Sequence, residues 1–316
     1  MILSESEDFI FSSLGWVDGG TVWVLDTIAG KATSVHIGKA KFVSLHEGQN
    51  NHFSVAHNYI DDKFEVSVHR ADRTMTEVGR FTVSSGGIQF TDDIGPWSNV
   101  PKYYISYFDY EGIKDYWLCC LTPQSGDATL IRFDWYDDKY DKGYQGIVGV
   151  IEVPDSELVL VSIQRDSSPV LFQPNEQRVV QLVRLDDRRG NPKLQFNRDG
   201  TDLWADDYDT VLKLDRKTWS LKNKSQVQED NNGTRSFVGT YWLNCDETFC
   251  VVPRPFSGDI VALDVENFRI KYRCRTGRQP LEAVMLKDNR VFGRDWKSGD
   301  LLTGKMERQV RLPFFK

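Results

Sequence analysis

The chain has 316 residues, of which 40% are hydrophobic, 27% charged and 12% aromatic, with a formal net charge of −7 at pH 7. That composition excludes a disordered chain, and the acidic balance argues against a surface for duplex nucleic acid, which needs a basic stripe. A chain of this length can bury enough surface to fold without disulfides or metals, and no apolar run approaches the ~18 residues of a membrane span.

The first eight residues are acidic and lack the basic start and apolar core of a signal peptide. The cysteines Cys119, Cys120, Cys245, Cys250 and Cys274 are odd in number, which fits buried free thiols better than a disulfide framework. Together these features predict a soluble cytoplasmic protein, monomeric on its own.

In chain order, the pattern is short, alternating and bounded by Gly, Asp, Asn or Pro, with almost no helix-period stretch. Phe9-Ile-Phe11 reads as a first strand, followed by Thr21–Asp26, a turn at 27–30 and Lys31–His36. Four of the five histidines crowd the next stretch (His36, His46, His52, His57), with His69 beyond. A zinc site on a strand uses His residues two apart, and no His-x-His occurs here, so these are expected to be strand-end and loop histidines bonded to backbone. The aspartate pairs 61–62, 92–93, 137–138, 186–187 and 206–207 all fall at expected turns, where Asp accepts backbone N–H bonds two residues on. They call for no catalytic or metal role.

Two segments carry more aromatics than a turn requires. One, 91–104, holds Trp97 and Tyr103; the other, 133–144, alternates Trp135, Tyr136, Tyr140 and Tyr144 with Asp137 and Asp138. Exposed Trp and Tyr build interface hot spots, so these eight residues are the candidate partner-binding face. The insertions themselves are placed at 85–102 and 135–146.

The clearest unit spans 193–228: strands at 193–196, 202–206, Thr210–Asp215 and 219–222, with turns at 197–200, 207–209 and 216–218. Four short antiparallel strands in so few residues make one blade of a β-propeller. The strand 258–264, ending in Asp, is followed by a turn and a strand at 268–272. The unit 276–303 runs Gly277-x-x-Pro280, a strand, the turn 287–289, a strand, and Ser298-Gly-Asp300. This last pattern resembles a blade of the YVTN/quinoprotein-like class of propellers, related to WD40-like folds, and 258–264 resembles the third strand of the same repeat. The resemblance covers about 190–305. In that class the terminal blade is completed by both chain ends, which would make 9–11 and 310–315 the two parts of a clasp. Lactonase and esterase propellers of this architecture hold a channel ion, but no residue here aligns with their ligands.

Strand–Asp–turn units centred near 24, 66, 117, 183, 212, 262 and 300 give seven units, or about 45 residues each. The expectation is therefore an all-β chain, a single β-propeller domain over 1–316 with about seven four-stranded blades. No nucleophile elbow, P-loop or dinucleotide fingerprint occurs. The basic clusters Arg184/Arg188/Arg189/Lys193 and Lys271/Arg273/Arg275/Arg278 read as solvated charges. The functional expectation is a non-catalytic scaffold that contacts a protein partner and needs no cofactor. A metal-dependent hydrolase or lactonase is the first alternative, and a glycan-binding module stacking sugars on Trp97 and Trp135 the second.

Overall fold

The computed structural model describes residues 1–4, 6–13, 20–38, 40, 42–46, 53–60, 63–84, 94–95, 103–108, 116–122, 127–133, 147–163, 168–185, 193–207, 209–227, 239–244 and 246–308. These form seven sheets, and the helical content among them is one 3-10 turn, Pro174–Glu176. The chain divides into two compact units, Ile2–Phe196 and Asn197–Lys316, the latter with Met1.

In the first unit, Ile2–Leu3, Phe9–Ser12, Thr21–Asp26 and Lys31–His36 form an antiparallel meander, as do Phe42–His46, Phe53–Ile60, Lys63–Arg70 and Glu77–Ser84. Tyr103–Phe108, Tyr116–Thr122 and Asp127–Phe133 make a three-stranded sheet. The next sheet runs Ile147–Glu152, Val159–Ile163, Val170–Gln173, Arg178–Leu182, and Ile94–Gly95 joins it in parallel beside Ile147–Glu152. Leu194–Phe196 is the unit's last strand.

In the second unit, Asp202–Asp207, Thr210–Asp215 and Leu221–Gln226 pair in sequence. Trp242–Leu243, Phe249–Arg254, Asp259–Asp264 and Ile270–Arg275 form the next sheet, and Glu307–Arg308 returns to pair with Ile270–Arg275. Pro280–Met285, Arg290–Asp295 and Leu301–Lys305 form the last. All seven expected repeat centres fall within or beside these sheets. Their strand number varies from three to five, where four was expected throughout. The added strands are two-residue segments distant in sequence, too short to show any periodicity. The segment 310–315 lies outside the described residues, while Phe9–Ser12 pairs within the first sheet between Ile2–Leu3 and Thr21–Asp26.

Where side-chain burial is described for a whole sheet, it falls from the middle strands to the last. Asp259–Asp264 is buried at every position but its terminal Asp, whereas Lys31–His36 and Leu221–Gln226 are almost wholly solvent-facing. A middle strand covered on both faces reads as a continuous apolar run, and an edge strand carrying Lys is protected from pairing with other chains. In the second unit Trp204 stacks on Phe268 (centroids 5.1 Å apart, planes at 11°), with Tyr241, Cys250, Val252 and Val261 completing the cluster. Cys274, Met285, Val291 and Met306 belong to the cluster beside it. In the first unit Phe133 meets Phe172 edge-on at 5.0 Å within a Val-rich cluster. Cys250 and Cys274 are buried free thiols, and burial pushes the Cys274 thiol up.

Two turn devices recur. In the first, a strand-terminal Asp accepts the backbone N–H groups two and three residues on: Asp26 from Ile28 and Ala29, Asp215 from Lys217 and Thr218, Asp264 from Glu266 and Asn267, Asp295 from Lys297 and Ser298, all at 2.7–3.2 Å. The fourth residue after the Asp closes the turn onto the Asp carbonyl in a left-handed conformation: Gly30, Trp219, Phe268 and Gly299. Asp26, Asp215, Asp264 and Asp295 are therefore turn formers, whereas Asp206 and Asp207 pair within a strand rather than at a turn, and the pairs 61–62, 92–93, 137–138 and 186–187 lie outside the described residues.

The second device joins the first two strands of a repeat. Ser4, Asn197 and Asn244 each donate their backbone N–H to the carbonyl of the residue five on, and each side-chain oxygen accepts that residue's N–H at 2.7–3.0 Å. A left-handed residue sits between them (Glu7, Gly200, Glu247). Asp199 and Asp246 add bonds from Thr201 and Thr248.

Candidate functional site

Of the eight residues singled out as a partner-binding face, Trp97, Trp135, Tyr136, Asp137, Asp138, Tyr140 and Tyr144 lie outside the described residues. Tyr103 opens the strand Tyr103–Phe108, its backbone opposite Leu121.

The histidines separate by environment. His36 is exposed, with Nδ1 3.3 Å from Thr21 Oγ1, and His46 and His57 lie on neighbouring strands of the second sheet. His52 is outside the described residues. His69 is buried, with Nδ1 3.0 Å from the Met75 carbonyl and Nε2 2.9 Å from Ser67 Oγ. The carbonyl can only accept, so Nδ1 is the donor in that bond. Among the described residues no three His, Cys, Asp or Glu side chains form a group that could hold a metal ion.

The basic cluster 271–278 is largely neutralised where it stands. Lys271 Nζ is 3.2 Å from Asp264, Arg273 Nε 3.2 Å from Asp259, and Arg278 Nη1 2.6 Å from Asp300. Asp259 is also gripped by Arg254 from two nitrogens at 2.7 and 2.5 Å. Arg275 is exposed and has no ion pair among the described residues. In the other cluster Arg184 is exposed, and Arg188 and Arg189 fall outside the described residues.

The surface that distinguishes the second unit lies at one end of its last two sheets. Phe256, in the turn between Phe249–Arg254 and Asp259–Asp264, is 54% exposed, and Trp296, in the turn after Arg290–Asp295, is 48% exposed. Their rings meet edge to face, centroids 6.1 Å apart at 90°. Each turn has a physical reason to hold its ring there. The Gly258 N–H bonds to the Arg254 carbonyl at 3.0 Å with Gly258 at φ +67°, and Asp295 gathers the N–H groups of Gln279, Lys297 and Ser298. The backbone N–H of Trp296 donates to the Gln279 carbonyl at 2.7 Å. Thr276 Oγ1 lies 2.9 Å from the Gly258 carbonyl and 3.1 Å from that of Arg278, so the loop 276–279 joins both turns.

A shallow groove beside that loop is lined by Arg275, Thr276, Arg278, Asp300, Leu301 and Thr303. Leu301 is itself 46% exposed. The Arg278 guanidinium, and then the Ser298 hydroxyl, hold the Asp300 carboxyl below its usual range. This patch escapes a reading of the sequence because Phe256 and Trp296 stand forty residues apart, each a lone aromatic in a tight turn. A ring in a turn of this size, where solvated residues are usual, was the available signal.

Three solved structures share the arrangement over nearly their whole length. The β-propeller domain of Myceliophteria thermophila Cps50 (Swd1) superposes with a TM-score of 0.70 at 10% identity, covering 96% of this chain and 94% of that one. The fold is a β-propeller. The Kuenenia stuttgartiensis hydrazine synthase matches this propeller with a TM-score of 0.65 at 13% identity over 98% of the chain and 94% of its own. The Pseudomonas aeruginosa periplasmic gluconolactonase PpgL matches with a TM-score of 0.64 at 13% identity, covering 96% and 99%. At such identities the likeness concerns the fold alone. No protein-family model matches the propeller, and no curated protein matches it in sequence.

Proposed function

We propose that this propeller is a non-catalytic interaction module that binds a protein partner, and that the Phe256–Trp296 pair with Leu301 is part of its contact surface. The observation that carries this reading is the pair itself. Two large rings stand half exposed, side by side, on turns pinned by backbone hydrogen bonds. Rigid aromatic area loses little conformational entropy on binding, which is why Trp and Tyr dominate interface hot spots. The strand-terminal aspartates are occupied in turns, which weighs against using them as catalytic carboxylates.

The test is affinity capture from the native host followed by mass spectrometry, with wild type, Phe256→Ala/Trp296→Ala and Trp97→Ala/Trp135→Ala in parallel. A stoichiometric protein retained by wild type and lost in the first double variant supports this surface. Loss in the second alone moves the contact to the segments 91–104 and 133–144. Equal recovery in all three, with folding intact, sinks both placements.

A further inference from the structure

Resting on the interaction reading above, we propose that the groove beside Phe256 and Trp296 takes an extended, acidic peptide segment of the partner, with an apolar side chain on the rings and a carboxylate on Arg275 and Arg278. The argument is charge complementarity on an otherwise acidic protein. The chain carries a net charge of −7, yet among the described residues the groove is lined by two exposed cations, Arg275 and Arg278, and one exposed carboxylate, Asp300, with exposed Lys297 next to Trp296 in its turn. The nearby acids do not offset them. Asp295 is buried and committed to the N–H groups of its turn, and Asp259 is buried between Arg254 and Arg273.

The three cations differ in what they can offer. Arg275 has no ion pair among the described residues and stands at the mouth of the groove. Arg278 is paired with Asp300, but both side chains are more than half exposed, at 52% and 58%. An exposed pair of this kind is screened by solvent and contributes little. A partner carboxylate arriving bidentate can therefore take the Arg278 fork from Asp300 at little cost. Leu301 and the two rings give the neighbouring apolar contact, so one segment can satisfy both in consecutive residues. A neutral segment would leave Arg275 unpaired, and a basic one would in addition meet like charge, which is the element that selects against it.

The probe is a displayed library of random peptides about 12 residues long. It is selected on the whole wild-type chain and counter-selected on Phe256→Ala/Trp296→Ala. The expected enrichment is for peptides with two or more Asp or Glu flanking a Leu, Phe or Trp. A synthetic peptide of that sequence should then bind wild type in fluorescence anisotropy, weaken as salt is raised, and lose about tenfold or more in affinity to Arg275→Glu. Arg275→Lys should recover part of the loss. Neutral or basic consensus sequences, or acidic ones indifferent to Arg275→Glu, would overturn the inference, as would no enrichment at all. The interaction reading is judged separately by the affinity capture. If that partner depends on Phe256 and Trp296 while Arg275→Glu retains it, the surface stands and its acidic ligand does not.

Discussion

Arg254 and Asp259 form a buried bidentate ion pair across the hairpin that carries Phe256. The guanidinium donates from Nε and Nη2 to both carboxylate oxygens, and from Nη1 to the Val227 carbonyl at 2.7 Å. Both side chains are nearly inaccessible, and Arg273 approaches the same carboxylate. One residue thus ties the Phe256 hairpin to the chain that follows Leu221–Gln226.

Removing one partner of this pair leaves a buried charge uncompensated. Asp259→Ala should lower the unfolding free energy by about 3–5 kcal/mol, read from chemical denaturation. The double change Arg254→Met/Asp259→Leu should cost clearly less than the single one, since the fully buried charge is then gone and only the partly exposed Arg273 has lost its carboxylate. Equal losses in both would mean that the pair matters through shape alone.

The turn aspartates set the acid limit of the fold. The Thr218 backbone N–H, and then the Lys222 ammonium, hold Asp215 down from its ordinary 3.8 to about 2. Asp295 is lowered by the Ser298 N–H first, and Asp264 is lowered although its burial pushes the other way. A carboxylate with a depressed folded-state pKa stabilises the protein above its unfolded pKa and loses that contribution as pH falls through the folded value. The melting temperature should therefore hold above pH 4 and fall between pH 4 and about 2. In Asp215→Asn it should be lower at neutral pH and less steep across that window. An unchanged slope would remove Asp215 from the account.

Gly304 faces Cys274 across adjacent sheets. A Cβ built on Gly304 would sit 2.4 Å from the Cys274 sulfur, too close for any pair of heavy atoms to remain in place. Gly304→Ala should destabilise by about 1–3 kcal/mol, the usual cost of overpacking a core. Cys274→Ala should cost less in the Gly304→Ala background than in wild type. A purely additive pair of losses in a double-mutant cycle would refute the contact.

Phe268 occupies the left-handed turn position that Gly30 and Gly299 fill elsewhere, at φ +58°. Glycine there would relieve about 1–2 kcal/mol of backbone strain. The ring, however, is buried and stacked on Trp204, and emptying such a site costs about 3–5 kcal/mol. Phe268→Gly should therefore be destabilising in thermal or chemical unfolding. A gain in stability would show that strain outweighs the packing.

The local grammar of the fold is legible in the residues. Thr21–Asp26 and Thr210–Asp215 are short apolar runs that end in an Asp whose carboxylate finds N–H groups two and three residues on, so strand and turn are both legible there. The turn at 197–200 is equally local, since Asn197, Asp199 and Gly200 supply its bonds and its left-handed residue. Lone pairings such as Glu307 with Arg273 carry no such mark, because two residues have no period.

The candidate surface divides along the same line. The aromatic–acidic segments 91–104 and 133–144 stand out in sequence because their unusual residues are consecutive. Phe256 and Trp296 do not, because what makes them a pair is the side-by-side placement of two turns forty residues apart. The sequence by itself determined the longer strands of the second unit, the turn aspartates Asp26, Asp215, Asp264 and Asp295 and the repeat, since hydrogen bonds to near neighbours and short apolar runs need nothing beyond a few residues. Only the tertiary structure decided which exposed rings meet, which arginines are already neutralised and which charge is left over, since those depend on distances between residues that the chain brings together only when its sheets pack.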